Sequence, residues 1–329
     1  MPTTNLSLKR PVPLALTGLD LSSISRLVFA GGGNRCMWQA GLVTQLLHAG
    51  WRLPVQMVGT SAGAGVATAL IADKMAEGME VCKQLYANNP RIVDWSKAWR
   101  GRLGFAHEHI FPAWVASYLN ESTFEAVRNA RSRLRVAFAR PHPWLGLHLS
   151  TLAGTLAYVV DKHINHSIHP RLPQLLGLKL GYMDLHDCTS LAAAQNLLSA
   201  AAAAPPFIRA RFVAGVPALD GGFVDNAPIG PLQSGENVGV GVGNGDGDGA
   251  QSKESVEAVA HTLVLLTRFY PKLPSLFSWQ GRSYWQPSRR VPVSTWDCTP
   301  KTTIQDAYGL GTQDAQHFLS SPFFNRKFA

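Results

Sequence analysis

Two strand–turn–helix units in direct succession constrain the fold of this chain more than any other feature. Arg26 to Ala30, "RLVFA", is short, apolar and partly β-branched, which reads as a buried strand. Gly31, Gly32 and Gly33 follow. Apolar residues then fall at Met37, Ala40, Val43 and Leu47 with helical spacing, and Gly50 stands where a C-capping glycine would. The unit repeats at once. "VQMVG", Val55 to Gly59, reads as a strand, "TSAGAG" as the turn, and "VATALIADKMAEG" as a helix ending near Gly78. Two such units imply an α/β class, with a parallel core and helices on the faces of the sheet.

The totals agree with a large buried core: 329 residues, 46% of them hydrophobic and 16% charged. A formal net charge of +9 suits an acidic partner such as an anionic membrane surface or nucleic acid. No finger or RRM-like signature supports nucleic acid, so none is expected. Cys36, Cys82, Cys188 and Cys298 are far apart and lack CxxC spacing. The expectation is reduced cysteines, a cytoplasmic location, no signal peptide and no metal. Asp246 and Asp248 resemble a calcium loop only faintly, because no Glu stands at the twelfth position. No cofactor is expected.

Three glycines in a row imply close approach to the backbone. A dinucleotide fingerprint would need glycine or alanine where Cys36 stands and an acidic residue roughly twenty positions on, and "GWRLPVQMVG" has none. An oxyanion fits better. A glycine run at a helix N-terminus presents several N–H groups in one direction, which stabilises the charge that develops during acyl transfer. That reading needs a nucleophile, and Gly59-Thr60-Ser61-Ala62-Gly63 supplies GxSxG on the second strand-to-helix turn. Ser61 needs a base. A late histidine, His261 or His317, would serve in an α/β-hydrolase order. Asp220, before Gly221 and Gly222 in an apolar stretch, is the other candidate. A carboxylate with a reference pKa of about 4 is a weak base, and partial burial would raise it.

These residues, in this order, resemble the patatin-like phospholipases. The glycine element matches Gly31-Gly32-Gly33-Asn34-Arg35-Cys36, GxSxG matches Gly59 to Gly63, and DGG with its following asparagine matches Asp220-Gly221-Gly222 and Asn226. The resemblance covers roughly residues 26 to 230. It implies a three-layer α/β/α fold with a largely parallel central sheet, and a Ser–Asp dyad acting on lipid esters. Ser61 would be the nucleophile, Asp220 the base, and Gly31, Gly32 and Gly33 the oxyanion hole with Arg35 beside it. The family's usual glycine after the arginine is Cys36 here. It is harmless if that position already lies in helix.

The rest of the chain is expected to form one domain over 1–329, with a helical, aromatic and basic insertion at about 80–185 and a flexible glycine-rich loop at about 234–255. "RNARSRLRVAFAR" falls in the helical part of that reading. Ser190 to Ala204 reads as a helix stopped by Pro205 and Pro206, "RFVAG" as a short strand, and "HTLVLLTRFY" as a core strand. Trp95, Trp99, Phe105, Phe111 and Trp114, among Lys97, Arg100 and Arg102, read as core aromatics with a solvated rim. A membrane interface is the alternative, there and in Phe269 to Trp285. Pro143 to Val160 is mostly apolar. It reads as a buried helix, or else one lying on a surface or covering the site. His148 and the Asp161-Lys162-His163 that follows argue against a span. His163, His166 and His169 read as a polar surface face. A non-catalytic, membrane-associated scaffold of the same fold is the reading from a different class.

Overall fold

The computed structural model describes residues 11–14, 18–95, 104–160, 167–170, 172–230 and 261–321. The glycine-rich loop, Trp99, His163 and His166 lie outside them. In chain order the strands are β1 (Val12–Pro13), β2 (Arg26–Phe29), β3 (Gln56–Thr60), β4 (Val93–Asp94), β5 (Gly104–Phe105), β6 (Arg133–Arg140), β7 (Lys179–Asp184), β8 (Arg211–Val213), β9 (Val216–Asp220), β10 (Thr262–Leu265), β11 (Leu276–Trp279) and β12 (Arg282–Trp285). The helices are α1 (Cys36–His48), α2 (Ala62–Ile71), α3 (Met75–Ala87), α4 (His107–Tyr118), α5 (Glu121–Arg128), α6 (Gly146–Val160), α7 (Leu172–Leu175), α8 (Leu191–Ala201) and α9 (Ile304–Leu319).

A parallel block, β12-β10-β2-β3-β6, forms the middle of one mixed sheet. β1, β7, β8, β9 and β11 join it antiparallel. Strand residues alternate between two cores, as a pleated sheet buried on both faces requires. Leu27, Phe29 and Met57 face a large cluster with α1, α2 and α4, while Val28, Val58 and Val264 face another with Phe277 and Tyr284. The result is the three-layer arrangement expected.

The helical reading of 80–185 is corrected by β6 and β7. β6 is a central strand, and its alternation was visible: Arg133 and Arg135 point away from the core that buries Leu134 and Val136. β7 runs along one edge of β6. On the other edge, β3 pairs up to Ala137, and β9 takes over at Phe138 and Ala139. The helix expected to reach Gly78 is also split. Asp73, at φ 53°, ends α2, with Lys74 N–H donating to the Ala69 carbonyl at 2.8 Å. No glycine or proline marks that break. Ala214 and Gly215, both at positive φ (49° and 77°), make the tight β8–β9 hairpin.

Helix α9 locks α1 in place by direct backbone contact. A Cβ on Gly311 would collide with the Trp38 carbonyl, and one on Gly41 with the Tyr308 carbonyl. Nothing lies within 4 Å of the corresponding position at Gly309. Gly311→Ala should therefore cost about 1–3 kcal/mol by overpacking. Gly309→Ala, in the same helix, should gain up to about 1 kcal/mol. Chemical denaturation of both variants checks the opposite signs.

Candidate active site

Ser61 leaves the end of β3 at φ 54° and ψ −136°, a strained conformation for a residue with a Cβ. Its flanking glycines are required by space. A Cβ on Gly59 would stand 2.5 Å from Ala64 Cα, and one on Gly63 would stand 2.6 Å from the Ala30 carbonyl oxygen. This turn places Ser61 at the N-terminus of α2, where the helix dipole favours negative charge.

Because Ser61 turns away, the edge of β6 beyond Ala137 is vacant, and the end of β9 fills it. Asp220 pairs with Phe138 there. Gly221 then passes over the Ala137 carbonyl and Thr60, where a Cβ would lie 2.9 Å from the former. So two motifs far apart in sequence meet. Ser61 Oγ donates to Asp220 Oδ2 at 2.6 Å, and both residues are buried. The Gly222 N–H donates to Asp220 Oδ1 at 2.8 Å, and the Asp220 N–H to the Ala203 carbonyl at 2.8 Å. Helix α8 stops at Ala201, short of the expected Ala204, and the accepting Ala203 carbonyl lies just beyond its end. Burial pushes the Asp220 carboxyl up to about 6, although the Ser61 and Gly222 hydrogen bonds pull it down. A serine hydroxyl held on a buried carboxylate is a nucleophile–base geometry.

The glycine loop is fixed beside this pair. Gly31 donates its N–H to the Asn226 carbonyl at 2.8 Å, and its own carbonyl accepts from Asn226 Nδ2 at 2.7 Å and Thr267 Oγ1 at 2.6 Å. This corrects one expectation, because the Gly31 N–H is already used and is not free to meet an oxyanion. The N–H groups of Gly32 and Gly33 have no partner among the described residues. Each peptide is held by its carbonyl: the Gly31 carbonyl as above, and the Gly32 carbonyl by the Arg35 N–H (3.2 Å) and Arg35 Nε (3.3 Å). Since the N–H of a trans peptide points opposite its carbonyl, both donors are held in a set direction. Gly33, at φ 56°, would drive a Cβ into the Thr295 carbonyl. Cys36 begins α1 at φ −65°, so it brings no backbone strain. Burial pushes its thiol far up, which keeps it protonated and unreactive.

Several residues here were not visible in the motifs. Thr267, Gly31 and Ser61 each lie two residues beyond a strand residue in one register row, Leu265, Phe29 and Gly59. The carboxyl ends of adjacent parallel strands are where such folds place their sites. That register is the signal that points to Thr267. The cavity against Ser61 is lined by Met37, Val66, Phe111, Trp114, Ile208 and Trp296, among others. Trp114 and Phe111 are therefore core and pocket residues, and Phe277, Tyr284 and Trp285 are buried in the sheet. Of the expected aromatics, Trp95 is exposed.

His107 also lines that cavity. Burial lowers its pKa to about 4, so it is neutral at working pH. Neither late histidine reaches the pair. His261 precedes β10, at the opposite end of the sheet from Ser61, and His317 is exposed on α9. His169 is not on a polar surface. It bridges Asp225 (2.8 Å) and the Tyr284 hydroxyl (2.9 Å) and stacks on Trp279.

A comparison with curated proteins found no match. A protein-family model described as patatin-like phospholipase matches residues 27–232, from the start of β2 past Asn226. The matched span is well over half of the chain and holds the Ser61–Asp220 pair and the glycine loop, so the chain belongs to the patatin-like phospholipases, a family of lipid acyl hydrolases.

Proposed function

We propose that the protein hydrolyses carboxylic esters of lipids, of the phospholipase A or lysophospholipase type, with Ser61 as nucleophile and Asp220 as base. The observation that carries this reading is the 2.6 Å hydrogen bond between the two, buried at the end of the sheet. Ser61 Oγ attacks the acyl carbonyl carbon, and its proton passes to Asp220 Oδ2. The carbonyl oxygen becomes an oxyanion against the N–H groups of Gly32 and Gly33, aided by the start of α2. The intermediate collapses, and the leaving alcohol oxygen takes the proton from Asp220. Water, deprotonated by Asp220, then attacks the acyl carbon, the bond to Ser61 Oγ breaks as Asp220 returns that proton to Oγ, and the fatty acid leaves. The apolar cavity lining suits an acyl chain, and the basic net charge suits anionic lipid.

The test is fatty acid release from phospholipid vesicles, measured by mass spectrometry. Wild type should release it, and so should His107→Phe, His261→Ala and His317→Ala. A histidine variant that is folded but inactive would contradict the dyad.

Thr267→Val should lower kcat roughly tenfold with little change in KM, because the Gly31 carbonyl then keeps only Asn226 as its anchor and the Gly32 N–H loses its fixed direction. Steady-state kinetics on a dispersed ester checks the split between kcat and KM.

A further inference from the structure

Helix α6 has apolar residues on two opposite faces, and only one is covered. Its inner face, Ser150, Gly154 and Ala157, is buried. At Gly154 a Cβ would stand 3.3 Å from Phe223 Cδ1, in the turn that follows Asp220. The outer face carries Leu149, Leu152, Leu156 and Val159, spaced as one stripe along the helix and 46% to 59% exposed, and Leu145, just before the helix, is 37% exposed. Trp144, just before the helix, is 92% exposed, and Leu175 of the adjoining α7 is 80% exposed. The expected burial of this segment is thus corrected: it lies on the surface.

We propose that this face is where the protein lies on a lipid bilayer, with α6 in the headgroup–acyl boundary and the active site held against its substrate. Charge favours a bilayer as the occupant. No Asp or Glu occurs from Pro141 to Val160, and Arg140, paired in register with Lys179, stands before the helix. Neither of those two cations is in an ion pair among the described residues. Arg140 is half-buried with its guanidinium over Phe138, and Lys179 is exposed. An exposed indole at the end of an apolar stripe that carries no acidic residue suits an interface with anionic headgroups. α6 is 15 residues long, and among the described residues no helix is long and apolar enough to cross a membrane. It would therefore lie in the boundary rather than span it. The proposal takes lipid as substrate from the reading above, but its test needs no turnover.

The experiment uses Ser61→Ala protein, which leaves vesicles intact, and flotation with vesicles of phosphatidylcholine and phosphatidylglycerol. Replacing Leu149, Leu152 and Leu156 together by Gln should weaken vesicle binding at least about tenfold without adding charge. Brominated acyl chains should quench tryptophan emission, and Trp144→Phe should remove most of that quenching. In the active background the triple variant should still hydrolyse a dispersed short-chain ester, which shows that its fold is intact. Equal vesicle binding by parent and triple variant would overturn the proposal. So would a parent dimer that the triple variant turns into monomer with vesicle binding unchanged, since a second copy would then be the occupant. Failure of the unsubstituted parent to bind vesicles, while the active wild type still cleaves the dispersed ester, would overturn this proposal and leave the proposed chemistry standing.

Discussion

Ser61→Ala should abolish ester hydrolysis, with kcat falling by at least about 10⁴-fold, because the acyl group then has no oxygen to join. The protein should remain folded. Alanine keeps the same Cβ, and the flanking contacts of Gly59 and Gly63 do not change. Ser61→Gly gives an internal check on the geometry. It should be equally inactive but more stable than Ser61→Ala, because glycine adopts a φ of 54° without steric cost. If Ser61→Gly melts no higher than Ser61→Ala, the strained turn is not stored where the structure places it.

Asp220→Asn should also lose activity, by about 10²- to 10⁴-fold, the range for removing a general base. Its effect on stability should have the opposite sign. Burial raises the Asp220 carboxyl from 3.8 to about 6, so the fold prefers the protonated form. Wild type then loses stability as pH rises from about 4 through about 6, by on the order of 3 kcal/mol, and the loss persists above that window. The asparagine variant has no such titration. It should gain relative to wild type between those pH values and keep a constant advantage at higher pH. Denaturation at pH 4 and pH 8 measures this. On the proposed mechanism the same group should set the pH dependence of the rate: activity should fall as pH drops through about 6, where Asp220 becomes protonated. No loss of activity on acidification through that value would mean that Asp220 is not the base.

The parts of the site that sequence revealed were those whose physical requirement falls on a few adjacent residues. A nucleophile turn needs Gly59 and Gly63, because each has backbone where a Cβ would stand. The carboxylate needs Gly221 for the same reason, where the chain crosses Ala137. Such demands leave local marks. The pairing of Ser61 with Asp220 leaves none, because it depends on β6 giving one edge first to β3 and then to β9. Reading β6 as helix hid that arrangement, although Arg133, Leu134, Arg135 and Val136 already alternate as a strand does. Thr267 and Trp296 lie beyond the family-matched span and act through register and packing, which motif spacing does not encode. The use of the Gly31 N–H was hidden too. Three identical glycines look equivalent until Asn226 takes the first of them.

The most direct test of the central claim is to label the protein with a lipid-like fluorophosphonate and locate the adduct by peptide mass spectrometry. The dyad predicts one phosphonylated residue, Ser61, in wild type, with labelling slowed by about 10²-fold or more in Asp220→Asn. An adduct on another residue, or a labelling rate that Asp220→Asn leaves unchanged, would contradict it.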